Sequence, residues 1–122
     1  RTTQNSSYNQ NNSFNSAMDL LDSLDSVKKE IRLKFKRLTD QEILVFTTIY
    51  QLEEELEYVN YKSIAKKISL TESSVRDYVR RLISKGIPLE KSKINNKEVV
   101  LSISNNLKKI ASLTTILELR EI

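Results

Sequence analysis

Neither cysteine nor histidine occurs in the 122 residues. With no thiolate and no imidazole, zinc-finger ligation, Cys or Ser/His nucleophile systems and disulfide-stapled secreted scaffolds are excluded. Chemistry on a substrate would rest on carboxylates, Lys and Tyr, and no spacing sets two carboxylates in a shared apolar cleft. No enzyme, no cofactor and no metal site is therefore expected. Long apolar runs are missing as well. The longest, Ile43-Leu44-Val45-Phe46, falls far short of the roughly 18 to 20 residues that cross a bilayer, and no charged-then-apolar leader precedes it. The length suits one compact domain with appendages, expected to be cytoplasmic and to have no membrane partner.

Glycine and proline are nearly absent, with one of each, Gly86 and Pro88. Everything before Gly86 runs without either strong chain breaker, which predicts helices over most of that length. Past Pro88 the pattern changes. Leu89 to Ile103 divides around Asn95-Asn96, and Val99, Leu101 and Ile103 alternate with Val100, Ser102 and Ser104, predicting a β-hairpin closed by a two-residue primed turn of Asn. Pro88 lacks a donor, so the first strand should lie at a sheet edge or be shortened. Residues 1–15 carry one charge and two large apolar groups, too little to offset an ordering cost of roughly 1–2 kcal/mol per residue. They read as a disordered polar tail or linker. A first residue of Arg rather than Met fits either a piece of a larger parent polypeptide lying N-terminal to Arg1 or a trimmed or tagged terminus.

Apolar residues at steps of three and four, Ala17, Leu20, Leu24, Val27, Ile31 and Leu38, predict an N-terminal amphipathic helix over 16–38. Its charges divide by sign, with Asp19, Asp22 and Asp25 early and Lys28, Lys29, Arg32, Lys34, Lys36 and Arg37 late. That order complements a helix dipole. Thr39-Asp40-Gln41-Glu42 has the reciprocal form of a capping box and opens a second helix with Leu44, Phe46, Ile49, Tyr50 and Leu52 inward. The acidic run Glu53 to Glu57 disfavours a helix C-terminus, so a frayed end or loop is expected through Glu55 to Val59. The run lacks the spaced oxygens and Gly of a calcium loop. Ser104 or Asn105 should cap a last helix over 105–122, apolar on more than one face and in need of more than one neighbour.

Between these elements, residues 60–86 support two short helices joined by Ser69 and Leu70. Asn60 can cap the first, with Ile64, Ala65 and Ile68 inward, and Thr71 the second, with Val75, Val79, Leu82 and Ile83 inward. Ala65 lets the helices approach and Leu70 can plug the corner, which makes a helix-turn-helix. The outer face of the second helix then holds Ser73, Ser74, Arg76, Asp77, Arg80, Arg81 and Lys85. Hydroxyls and amides at a helix N-terminus suit phosphate, and the planar fork of Arg suits guanine O6 and N7. Charge is segregated too. Residues 1–59 hold seven cations and ten anions, net −3, whereas residues 60–97 hold ten cations, Lys62, Lys91, Lys93 and Lys97 among them, and three anions, net +7. A polyanion contact requires such a concentration, because each neutralised phosphate releases condensed counterions.

Residues 39–104 resemble a winged helix-turn-helix domain of the kind found in prokaryotic and archaeal transcription regulators such as the MarR-like group. The likeness lies in Leu38-Thr-Asp-Gln-Glu-Ile-Leu, in Tyr61 through Gly86-Ile87, and in Leu89 to Ile103 as the wing. It implies a mainly α fold with a small β-hairpin wing, flanked by N- and C-terminal helices. It also implies that Ser73, Ser74, Arg76, Asp77 and Arg80 face bases or flanking phosphates, and that Lys91, Lys93 and Lys97 reach the adjacent minor groove or backbone. Ser69 stands where this turn often has Gly, and a left-handed Ser would carry strain of roughly 1 kcal/mol or more. The wing lacks the Asp and Arg pattern of MarR proper, so no effector response is assigned. The expectation is a DNA-binding, nucleoid-associated transcription regulator or DNA-partition or replication accessory, its partner double-stranded DNA and its recognition helix at about 72–85. A homodimer through the N- and C-terminal helices would space two reading heads on half-sites about 34–36 Å apart. The alternative is a winged helix serving as a protein–protein interaction module of a larger assembly, motivated by the apolar outer helices and the acidic run. RNA is disfavoured, since the hairpin offers no aromatic stacking platform.

Overall fold

A computed structural model of the chain describes residues 6–121. Six helices flank one hairpin in the order α1 (Ser6–Lys36), α2 (Asp40–Glu55), α3 (Tyr61–Ile68), α4 (Glu72–Ser84), β1 (Leu89–Ile94), β2 (Glu98–Ile103), α5 (Asn105–Ile110) and α6 (Leu113–Glu121). The architecture is mainly α with a small antiparallel wing, a winged-helix-like fold. Its core draws one to three fully buried groups from most elements: Phe35 of α1, Val45, Phe46 and Ile49 of α2, Ile64 of α3, Val75, Val79 and Leu82 of α4, Ile103 of β2 and Ile116 of α6. Phe35 meets Phe46 edge-on at 4.8 Å between centroids, a geometry that aromatic quadrupoles favour. Among the described residues no helix is long and apolar enough to cross a membrane.

Local chemistry sets the boundaries. Thr39 Oγ1 accepts from the Glu42 amide at 3.2 Å while Glu42 Oε1 accepts from the Thr39 amide at 2.9 Å, completing the capping box that opens α2. Asn60 and Ser63 make the same exchange at α3, and Thr71 caps α4 through the Ser74 amide at 3.0 Å. Ser69 ends α3 in the left-handed region (φ 57°, ψ 44°), and the Leu70 amide reaches back to Ala65 O. Gly86 ends α4 at φ 87°, a conformation that spares only glycine a penalty. Pro88 lies outside the strands on an edge, and its carbonyl accepts from the Ser104 amide. Asn95 and Asn96 are both left-handed, as a primed turn requires. Ile94 nevertheless pairs with Glu98, so Lys97 adds a third residue to the connection where two were expected.

Four further expectations change. Helix α1 starts at Ser6 and not at Ser16, so residues 6–15 continue the helix in place of the expected tail, and residues 1–5 lie outside the described residues. No Gly or Pro interrupts the stretch, and extending a formed helix avoids the cost of nucleating one. In α2, Val45 is buried and Leu44 is 41% exposed. The helix turns its Val45, Phe46, Ile49 and Leu52 edge inward, the edge that also carries the buried Glu42. In α4, Ile83 lies outside the core at 37% exposed, being adjacent in sequence to the fully buried Leu82 and so about 100° away around the helix. Finally, the expected single C-terminal helix is two. Ala111 is extended and buried, and Ser112 Oγ accepts from the Thr115 amide at 3.2 Å, capping a new helix that turns back along α1. The guanidinium of Arg120 then donates to Phe35 O at 3.1 Å and Leu38 O at 3.0 Å, a side-chain cap on the C-terminal end of α1.

Candidate nucleic-acid interface

The hydrophobic stripe of α4 decides what its other side offers. With Val75, Val79 and Leu82 buried, Ser73, Arg76, Asp77 and Arg80 fall on the exposed side at steps of three and four, and Arg81 is also exposed. Ser74 is only half-exposed, for its hydroxyl serves the α4 cap together with Thr71. Arg80 Nη1 donates to Asp77 Oδ1 at 2.9 Å. Both groups remain largely in solvent, so the pair contributes little to stability and can exchange its partner. Arg81 lies 5.2 Å from the Tyr78 ring centroid, a cation–π contact that holds the guanidinium against the helix surface.

Three sites far apart in sequence meet at the N-terminal end of α4. Lys62 of α3, Arg76 of α4 and Lys97 of the hairpin tip line one cleft of about 320 Å³ together with Glu72 and Glu98. The Arg76 guanidinium lies 4.9 Å over the ring of Tyr61, which fixes a long side chain without pairing its charge. Asn60 closes the cleft by donating from Nδ2 to Glu98 of β2. Behind it, the Leu101 amide donates to Val59 O at 2.7 Å, a single rung that attaches the wing to the segment leading into α3. Lys91 and Lys93 pair with Leu101 and Val99 across the ladder. Cross-strand partners share a sheet face, so both lysines stand on the side of the wing that continues to Val99 and the cleft.

Lys85 departs from the expected set. Its Nζ donates to Glu42 Oε1 at 2.6 Å and to Arg37 O at 3.2 Å, turning the end of α4 back onto the capping box of α2. Glu42 is only 2% exposed. Burial acts to raise its pKa, but the hydrogen bond and charge of Lys85 and the bonds to Thr39 outweigh that, so the carboxyl lies below its ordinary value of 4.5. Lys85 thus compensates a buried anion and is not displayed for a ligand. Tyr61, Asn60 and Glu98 are site residues that the sequence did not disclose. Each acts through a partner distant in the chain, and a Tyr or Asn at a helix start reads equally well as core or cap. Among the described residues no group of three potential metal ligands gathers.

Two solved structures with TM-scores above 0.5 support the fold. The YusO protein from Bacillus subtilis superposes with a TM-score of 0.53 over 97% of this chain and 79% of its own, at 13% identity. RV1404 from Mycobacterium tuberculosis gives 0.52 over 99% and 78%, at 15% identity. The ST1889 protein from Sulfolobus tokodaii is 26% identical over 80% of this chain and 91% of its own, with a TM-score of 0.47. No protein-family model and no curated protein sequence matches the chain.

Proposed function

We propose that this chain is a duplex-DNA-binding domain of a transcription regulator or DNA-partition or replication accessory of MarR-like type, and that it works as a homodimer. The observation that carries the reading is the meeting of Lys62, Arg76 and Lys97 in one cleft beside the exposed Arg80 and Arg81. Helix α4 enters the major groove with Ser73, Arg76, Asp77 and Arg80 toward base edges. The wing lays Lys91, Lys93 and Lys97 along the backbone or minor groove, and Lys62 takes a flanking phosphate. Arg76 is the best candidate for reading a base, since Tyr61 orients its fork before binding.

The reading is tested by titrating labelled duplexes at two salt concentrations. Affinity should fall with salt on a log–log slope of about 0.9 per phosphate contacted. Arg76→Ala should cost about 1–3 kcal/mol and relax sequence preference. Binding that ignored both salt and Arg76→Ala would overturn it. Absence of duplex binding at low salt, with recovery of a stoichiometric protein complex, would instead favour a protein–protein interaction module, a reading kept in view by the exposed leucines of α1.

A further inference from the structure

Apart from Arg1, every cation of residues 1–59 lies in one stretch of α1, where residues 28–37 hold six cations and one glutamate. The helix dipole accounts for the last of them only, since its field fades within a turn of the end and the final turn carries Lys34 and Lys36. Lys28, Lys29 and Arg32 lie too far back to benefit. Among the described residues the one ion pair of this stretch joins Lys34 to Glu30 at 3.3 Å, and Lys28, Lys29, Arg32 and Lys36 have no carboxylate within salt-bridge reach. At about 100° per residue these four fall within about 100° of arc, a quarter-turn round from the buried Ile31 and Phe35. Lys28, Lys29 and Lys36 are exposed and Arg32 is half-exposed. Lys28, Arg32 and Lys36 stand at successive steps of four, a spacing at which like charges repel and weaken a helix. A polyanion laid along them would relieve that repulsion.

We propose that this stripe of α1 is a second duplex-DNA surface, which grips phosphates without reading sequence and lies outside the segment that α4 reads. The apolar side of the same stretch is occupied in the core, Ile31, Phe35 and Leu38 being 7%, 1% and 4% exposed. Leu33 is left as the lone exposed apolar group between residues 28 and 38, too little for a helix to lie in a lipid surface. Contact is therefore by charge. The stripe is also continuous with the candidate interface: Lys85 Nζ donates to Arg37 O at 3.2 Å, which joins the end of α1 to the end of α4, about one turn beyond Arg80 and Arg81. From Lys36 back to Lys28 the helix rises about 12 Å, and a duplex carries a charge for about every 1.7 Å of its axis. A row of that length faces several phosphates whatever the bases, and phosphate contacts position a protein without specifying sequence. This assignment rests on the duplex-binding reading given above and adds a contact that α4 and the wing do not make.

The test uses one variant with Lys28→Gln, Lys29→Gln, Arg32→Gln and Lys36→Gln together, and a second with Lys28→Arg, Lys29→Arg, Arg32→Lys and Lys36→Arg. Both are titrated beside the parent on several duplexes of unrelated sequence over a range of salt. The Gln variant should lose about 0.9 unit of log–log slope for each contact, roughly three to four units per chain. The loss should be equal on every duplex, so that the order of preference among them is kept, and the charge-keeping variant should hold the parent slope. In urea the Gln variant should be at least as stable as the parent, the repulsion being gone. Lys29→Gln with Arg32→Gln, losing about two units, serves if four changes together disturb the helix. A parent slope retained by the Gln variants would overturn the assignment while leaving contact by α4 and the wing in place. Binding of the parent to phosphatidylserine-containing vesicles, lost with the Gln changes while duplex binding is kept, would overturn it in favour of a lipid surface. No binding of the parent to any duplex at low salt would overturn the duplex reading and this surface together.

Discussion

Lys85 and Lys97 carry equal charge, and their surroundings give them different work. Lys85→Ala would leave Glu42 buried without its cation, a loss of about 3–5 kcal/mol by the usual cost of breaking a buried pair, visible in urea unfolding. It should leave the salt slope of duplex binding unchanged in whatever protein remains folded. Lys97→Ala should do the reverse, sparing stability and lowering the slope by about one unit. Glu42→Gln adds a pH signature. Because the folded carboxyl titrates below 4.5, its ionised form stabilises the fold fully above that value and ceases to do so as pH falls through the depressed one. The stability gap between parent and Glu42→Gln should therefore be widest near neutrality and close in acid. Ser69 needs no charge to matter: at φ 57° a β-branched side chain is strained, and Ser69→Val should lower stability by about 1–2 kcal/mol in the same unfolding assay.

At the scale of elements, what the sequence discloses is what lies within a turn of helix. The caps at Thr39, Asn60 and Thr71 span three residues each, so composition alone locates the starts of α2, α3 and α4. Period two in Val99, Leu101 and Ile103 likewise marks the wing. Contacts across longer stretches leave no such trace: Asn60 to Glu98 spans 38 residues and Lys85 to Glu42 spans 43. That is why Lys85 reads as a DNA contact until its partner is seen. The break at Ala111-Ser112 goes unread although its cap, Ser112 to the Thr115 amide, is just as local, because apolar residues on both sides fit one helix or two. Asn60 joins both kinds of information, being a local cap and a distant tie to the wing. Asn60→Ala should cost about 0.5–2 kcal/mol from the lost cap and should weaken duplex binding beyond that, measured as a loss that persists at temperatures where the variant is fully folded.

For the whole molecule, net charge of +4 understates the field, because the anions gather in the first half of the chain and the cations in the second. If two copies present their basic surfaces together, the number of phosphates neutralised doubles. Leu20→Asp, at an exposed site with little to lose in folding, should then yield a monomer with about half the parent's salt slope and a selective loss on duplexes carrying two half-sites over those carrying one. The lone rung from Val59 to Leu101 matters most at this scale. With the Asn60–Glu98 bond it ties the hairpin to the same segment that launches α3 and carries Tyr61 under Arg76. The five residues from Leu56 to Asn60 thus hold the wing and the start of α3 together, so a one-residue deletion there should change how Lys97 approaches Arg76 while leaving every cation in place.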